Sequence, residues 1–361
     1  MSKLEPKYTL FDSVAEMLAP ETLSQLLSTT VTRVDRQPMN GHLGVAGGQL
    51  SYVDTNAGRL VLKQMSSASD WIMFASGDEQ CRAVRLWQYG LLDQLRPHLE
   101  HKIVACSRDN TGWAILMHDL TGHVFTWDKP MGVKLVPACL DALARLHATF
   151  WNHPHLNDLH LGLCDTAKRL DIMAPALAQK QDSQQRGALP DWIRGGWEMM
   201  GELLGSDVFA QMRNLIEKPS RLFETLNRYP YTLVHGDYRA ENLGCLKSGT
   251  WIALDWQIAT RSLMTIDLAW FTRGASVGRA MGQALAISYY RGRLEVYLNM
   301  RFDDTEWQAM IDLGFLVDAL WATCLRAYFS KHSNMPEDRL WNEIAVKQCN
   351  QNVRDALRWL Q

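Results

Sequence analysis

The chain has no Cys-x-x-Cys pair. Its seven cysteines, Cys81, Cys106, Cys139, Cys164, Cys245, Cys324 and Cys349, are scattered and odd in number, which argues against a disulfide framework or a zinc site and for reduced thiols in a cytoplasmic protein. Charge of either sign is nearly balanced: the net value is -2 with no basic stripe, so there is no electrostatic case for nucleic acid or an anionic membrane as partner. The start, Met1-Ser-Lys-Leu-Glu-Pro-Lys-Tyr8, lacks the charged-then-apolar pattern of a secretory leader. A charge-free apolar run is missing too. The most apolar late stretch, Trp307 to Phe329, carries Asp312, Asp318 and Arg326, which predicts a buried helix rather than a membrane span. Repeats and low-complexity linkers are also absent. The expectation is a cytoplasmic protein with no nucleic-acid or membrane partner, its oligomeric state open.

What is present is an ordinary globular composition, 47% hydrophobic and 21% charged, over 361 residues, a length that calls for about two lobes. Residues 1–30 read as a helical preface, with Leu10, Val14, Leu18, Leu23, Leu26 and Leu27 at helical steps. Strand patterns follow at Thr30 to Val34, Gln49 to Asp54 and Arg59 to Gln64, the last ending in Leu60-Val-Leu-Lys63. The connection Asn40 to Gly48 is rich in glycine, which permits positive φ and close approach of backbone N–H groups to an anion. A helix is predicted from Ser76-Gly-Asp-Glu79 to about Leu99, and Ser76 with Glu79 has the spacing of a capping box. Trp113 to Leu120 reads as a buried strand, and Leu140 to Trp151 as an amphipathic helix containing a packed His147. From residue 160 to 230, and again after Phe271, the pattern is helical.

The stretch Tyr231-Thr-Leu-Val-His-Gly-Asp-Tyr-Arg-Ala-Glu-Asn242, followed by Trp251-Ile-Ala-Leu-Asp-Trp256, carries the chemistry. Leu243–Leu246 and Trp251–Leu254 are short apolar runs flanking the polar loop Lys247-Ser-Gly-Thr250, a hairpin signature. Simple register sets Leu246 against Trp251, Leu243 against Leu254 and Asn242 against Asp255. One amide oxygen and one carboxylate side by side suit Mg²⁺, which takes few protein ligands and leaves the remainder to water and phosphate. Asp237 lies in the loop before them, free to meet a substrate hydroxyl.

His235-Gly-Asp-Tyr-Arg-Ala-Glu-Asn242 resembles the catalytic loop of the aminoglycoside phosphotransferase and choline kinase-like (ecdysteroid kinase-like) small-molecule kinases, with the Asp-to-Asn step of protein kinases. Asp255-Trp-Gln257 stands where kinases have Asp-Phe-Gly, and Asp267-Leu-Ala-Trp-Phe271 resembles the segment that follows. The resemblance implies an α+β, protein kinase-like two-lobe fold: residues 1–117 as a strand-rich ATP-binding lobe and 118–361 as a helical lobe. It implies ATP and Mg²⁺ as cofactors. Asp237 is then the catalytic base, with Arg239 and His235 beside it, and Asn242 and Asp255 are the metal ligands. Lys63 would hold the nucleotide phosphates, Gly47 and Gly48 would cover them, and Met117, His118 and Asp119 would form the hinge at the adenine edge. Arg239 could instead simply pair with Glu241. Glu79 is the candidate partner of Lys63 or else a helix cap, because Ala83 occupies the position where the family often has the acid. Asp267 could accept backbone N–H bonds from the catalytic loop, or serve as a helix N-cap.

Asp267 follows Asp255 by only twelve positions, too few for the activation segment with which protein kinases dock a peptide. A small hydroxylated acceptor is expected. The second half has no dense acidic run of the kind a polycationic aminoglycoside would favour. The alternative reading is a catalytically silent kinase-like protein that binds a nucleotide or ligand.

Overall fold

The computed structural model describes residues 4–39, 45–110, 112–126, 130–180 and 186–360. Two short helices, α1 (Val14–Met17) and α2 (Pro20–Leu27), precede the sheet strands β1 (Val34–Pro38), β2 (Gln49–Thr55) and β3 (Gly58–Met65). After α3 (Trp71–Ala75), α4 (Arg82–Gln88) and the short β4 (Leu99–Glu100) come β5 (Ile103–Asp109) and β6 (Gly112–His118). The sheet runs β1-β2-β3-β6-β5, with every neighbouring pair antiparallel.

Strand alternation divides this sheet's two faces. Leu60 and Leu62 on β3, with Ala114 and Leu116 on β6, point toward Met17 and Leu23 of α1 and α2 and form a small separate core. Lys63 pairs in register with Ile115, and Ile115 faces the other way, into the main core with α3 and α4. Lys63 is therefore delivered to the inner face by the same period that buries Leu60 and Leu62.

The first strand starts four residues later than the sequence pattern predicts. Asn56 accounts for the shift: its side-chain oxygen accepts from the N–H groups of Thr32 and Arg33 and its amide donates to the Thr30 carbonyl, so residues 30–33 spend their backbone groups on a side chain. The single helix expected over residues 76–99 is broken. Ser76 caps the C-terminal end of α3, Gly77 and Cys81 take positive φ of 62° and 52°, and the chain re-enters helix only at Arg82.

The rest is mainly helical: α5 (Val136–Thr149), α6 (Thr166–Asp171), α7 (Pro175–Gln179), α8 (Leu189–Leu203), α9 (Ser206–Glu217) and α10 (Ser220–Leu226) come before a segment of short strands. That segment holds β7 (Thr232–Val234), β8 (Leu243–Cys245), β9 (Trp251–Ala253) and β10 (Thr260–Ser262). It is followed by α11 (Thr265–Thr272), α12 (Ala275–Ala280), α13 (Gln283–Leu298), α14 (Asp304–His332) and α15 (Pro336–Leu357). α14 is the one helix among the described residues long and apolar enough to cross a membrane, but 89% of its most apolar window is buried inside the protein. It is a core helix packed against α8, α11 and α15, as the charges at Asp312, Asp318 and Arg326 predict. All seven cysteines are free, six of them buried.

Candidate active site

The hairpin that carries the proposed metal ligands forms one residue out of the predicted register. Leu243 pairs with Ala253 and Cys245 with Trp251, and the Leu254 N–H donates to the Asn242 carbonyl at 2.9 Å. Asn242 therefore faces Leu254, not Asp255. The cause lies in the turn: Gly249 takes φ 85°, which closes a three-residue loop between Leu246 and Thr250 instead of a four-residue one. Asp255 falls just beyond the ladder in a left-handed conformation, φ 63° and ψ 64°. Its Oδ1 accepts from the Lys63 ammonium at 2.9 Å, and that cation holds the Asp255 carboxyl below its usual range against the opposing effect of burial.

Asp237 sits among three donors. Trp270 Nε1 donates to Oδ1 at 2.8 Å, Asn242 Nδ2 to Oδ2 at 2.7 Å, and Arg239 Nε lies 3.3 Å from the carboxylate. Arg239 also approaches Glu241 at 3.7 Å, so the cation is shared between both carboxylates. Asn242 uses its amide hydrogens on Asp237, to the main-chain carbonyl as well as the side chain. Among the described residues nothing donates to its side-chain oxygen or to Asp255 Oδ2. One amide oxygen and one carboxylate oxygen are thus uncommitted, a donor set that fits Mg²⁺. No group of three or more His, Cys, Asp or Glu side chains able to hold a metal occurs among the described residues.

The loop itself is fixed from behind. Asp267, fully buried on the first turn of α11, accepts from the His235 N–H at 2.7 Å and the Gly236 N–H at 2.8 Å. His147 Nε2 lies 3.3 Å from the same carboxylate, and His147 Nδ1 meets the Tyr290 hydroxyl at 2.6 Å. Asp267 stands inside the helix, whose N-cap is Met264, so its role is the backbone clamp. Although burial pushes its carboxyl up, the hydrogen bonds and the neighbouring histidines prevail and its pKa is lowered. His235 is fully buried, and burial lowers its pKa. One ring nitrogen contacts the Leu254 carbonyl at 2.9 Å and the other accepts from the Asp237 N–H at 3.2 Å. These partners fix a neutral tautomer protonated at Nε2. Both nitrogens being spent on backbone, His235 holds the loop shape.

Gly236 is required where it stands. Its φ is 89°, and a Cβ there would lie 2.3 Å from the Ile258 carbonyl oxygen and 2.6 Å from Arg169 Nη1. Gly236→Ala is expected to cost about 2 kcal/mol or more, from positive φ plus overpacking, read as a lowered denaturation midpoint in urea.

The other predicted residues separate into those near Lys63 and those away from it. A Cβ on Gly48 would lie 3.5 Å from Lys63 Cε, and one on Gly47 would meet the Ser69 carbonyl oxygen at 2.0 Å, so this end of the loop lies directly over the lysine. Residues 40–44 of the same loop fall outside the described residues. Met117 and His118 end β6. The His118 N–H donates to the Lys102 carbonyl at 3.0 Å and the Asp119 N–H to the Arg59 carbonyl at 3.4 Å.

Glu79 is not brought to Lys63, nor does it cap a helix. It lies exposed in the turn between α3 and α4, where its backbone is held at both ends: the N–H donates to the Gly77 carbonyl at 3.1 Å and the carbonyl accepts from Trp113 Nε1 at 3.0 Å. The first N–H of α4, that of Arg82, is taken by the Asp78 carboxylate, while the N-cap, Cys81, makes no side-chain cap bond. Lys63 instead contacts Asp255 and Gln257 Oε1, the latter at 2.8 Å.

Two contacts at the site are not legible in sequence. Trp270 stands out only as part of Asp267-Leu-Ala-Trp-Phe271 and as one of the tryptophans that could line a pocket; the signal for its bond to Asp237 is its i,i+3 spacing from Asp267, which puts both on the face of α11 toward the loop. Asp70, buried at the N-cap of α3, gave no motif.

The structure brings together a strand-borne lysine, Asp255 against it, and the Asp237-to-Asn242 loop clamped from behind by the buried Asp267. The chain belongs to the phosphotransferase enzyme family, whose model matches residues 44–310. Among solved structures it is similar to a proposed aminoglycoside phosphotransferase from Ralstonia eutropha, with 14% identity, TM-score 0.54, and 94% of this chain and 97% of that one covered. It is also similar to an ethanolamine kinase from Plasmodium vivax, with 12% identity, TM-score 0.50, and 87% and 82% covered. At such identities the likeness shows the fold, a strand-rich N-terminal part with a helical C-terminal part. No curated protein matches in sequence.

Proposed function

We propose that this phosphotransferase moves the γ-phosphate of ATP to a hydroxyl of a small molecule, with residues 1–117 as the nucleotide lobe and 118–361 as the acceptor lobe. The observation that carries the reading is the Asp237 carboxylate, held by Trp270, Asn242 and Arg239 in front of Lys63 and Asp255. Phosphoryl transfer asks a protein mainly for positioning and charge stabilisation. Asp237 orients the acceptor hydroxyl and takes its proton. Arg239 supplies positive charge beside that oxygen. Asn242 and Asp255 hold Mg²⁺, and Lys63 takes the phosphates under Gly47 and Gly48. Mg²⁺, when bound, supplies neutralisation of phosphate charge. Met117, His118 and Asp119 flank the adenine edge, the His118 and Asp119 N–H groups being taken by the Lys102 and Arg59 carbonyls. His235 keeps Asp237 aimed. The buried thiols suit a reducing cytoplasm.

The test is a screen of small alcohols with ATP and Mg²⁺, read by a mass gain of one phosphate, alongside thermal shift with Mg·ATP. At a nucleotide concentration of a hundred times Kd, binding stabilises by about 2.7 kcal/mol, a shift of several degrees that Asp255→Asn should abolish. Asparagine is chosen because it tolerates the left-handed backbone at this position. No shift in the wild type, or an equal one in the variant, would remove the nucleotide site.

A further inference from the structure

The acid expected to attend Lys63 is missing from α4, where Ala83 stands one turn beyond an exposed Glu79. Yet a carboxylate does reach the lysine, from another element and through an intermediary. Gln257 accepts from Lys63 Nζ with Oε1 at 2.8 Å and donates with Nε2 to Asp70 Oδ2 at 3.1 Å. Asp70 is fully buried, and its other oxygen accepts from the Met73 N–H at 2.9 Å. Gly48 closes the arrangement from above: a Cβ there would lie 3.5 Å from both Asp70 Oδ2 and Lys63 Cε.

The main chain of Gln257 is pinned as well. Its carbonyl accepts from Arg82 Nη1 at 2.6 Å, and Arg82 is buried and held by Asp78, Ser76 and the Gly162 carbonyl. So α4 contributes to the site through a buried arginine that fixes Gln257, and α3 contributes the carboxylate.

We propose that Asp70 is the positioning carboxylate of the phosphate-binding lysine, acting through the amide of Gln257. The chemistry of an amide makes the relay directional. Only its oxygen can accept from the ammonium, and only its nitrogen can donate to the carboxylate. Asp70 thereby sets which end of Gln257 faces Lys63, and Lys63 keeps an acceptor that is not itself a candidate metal ligand. Asp255 can then serve Mg²⁺ without leaving the lysine unheld.

The proposal rests on reading Lys63 as the phosphate-binding lysine, and the test separates the two. Asp70→Asn keeps an N-cap as good as the original but turns the acceptor facing Gln257 into an NH₂ group. Gln257 must then flip and present its own NH₂ to the ammonium. Affinity for Mg·AMP-PNP, measured by calorimetry, is expected to fall about tenfold, the scale of one charge-assisted hydrogen bond. Adding Gln257→Glu restores a group that accepts from both Asn at 70 and Lys63 at the wild-type net charge, so the double variant should recover most of the loss. A helix cap alone predicts no such rescue.

Should Asp70→Asn fail to fold, Gln257→Met, which leaves the cap intact, carries the same expected loss. Unchanged affinity in a folded Asp70→Asn, or in Gln257→Met, overturns the relay, as does a double variant no better than Asp70→Asn. A wild type that binds no Mg·AMP-PNP overturns the nucleotide reading and the relay together. Wild-type binding with an indifferent Asp70→Asn overturns the relay alone.

Discussion

Asp237→Ala is expected to lower kcat by about a thousandfold, within the range that a positioned general base contributes, while Mg·ATP affinity changes by no more than about threefold. The split follows from where the contacts of Asp237 lie. Its donors are Trp270, Asn242 and Arg239, whereas Lys63 is held on the far side by Asp255 and Gln257. Truncation removes the proton acceptor and frees the Asn242 amide, but it touches none of the contacts of the lysine. The measurement is single-turnover phosphorylation of an acceptor found in the screen, paired with nucleotide titration. Turnover equal to wild type would end the assignment of Asp237 as base. A nucleotide affinity that collapsed with turnover would show that Asp237 shapes the phosphate site as well.

Asp267→Ala is expected to be the most damaging change to stability, at about 3 kcal/mol or more, because two buried backbone N–H groups lose their acceptor at once and each such orphan costs about 1–3 kcal/mol. His147 also loses its carboxylate partner. Urea denaturation of wild type and variant measures the difference. Its pH dependence has a definite sign. The carboxyl is lowered in the folded protein, so its contribution is complete above the unfolded value of about 4 and is lost as pH falls through the lower folded value. The stability gap between wild type and variant should therefore narrow on acidification below about pH 4 and stay flat between pH 6 and 8. A gap that widened in acid would contradict the clamp.

These two residues were within reach of the sequence for different reasons. Asp237 belongs to a loop whose spacing reflects chemistry, and Asp267 follows Asp255 at a distance that the short connection fixes. Lys63 could be placed by strand alternation alone, since Leu60 and Leu62 must face the small core. The hairpin register could not, because whether Gly249 closes a three- or a four-residue turn depends on a backbone conformation that glycine permits but does not dictate. The acid partner of Lys63 was hidden for a related reason. Asp70 stands close to Lys63 in the chain, but the two are joined through Gln257, 187 positions from Asp70 and 194 from Lys63, and no local pattern encodes contacts of that separation. Glu79 looked suitable only while residues 76–99 were read as one helix; two left-handed residues, Gly77 and Cys81, break it and turn the side chain to solvent.

The chain of contacts from Tyr290 through His147 to Asp267 joins α13, α5 and α11 to the catalytic loop. A surface loop ordinarily opens on its own at little free-energy cost, and its amides exchange with solvent early. This one has no such independent route. For the His235 and Gly236 amides to meet solvent, a buried carboxylate must be released from inside a helical core, so the loop's opening energy is tied to that of the helices behind it.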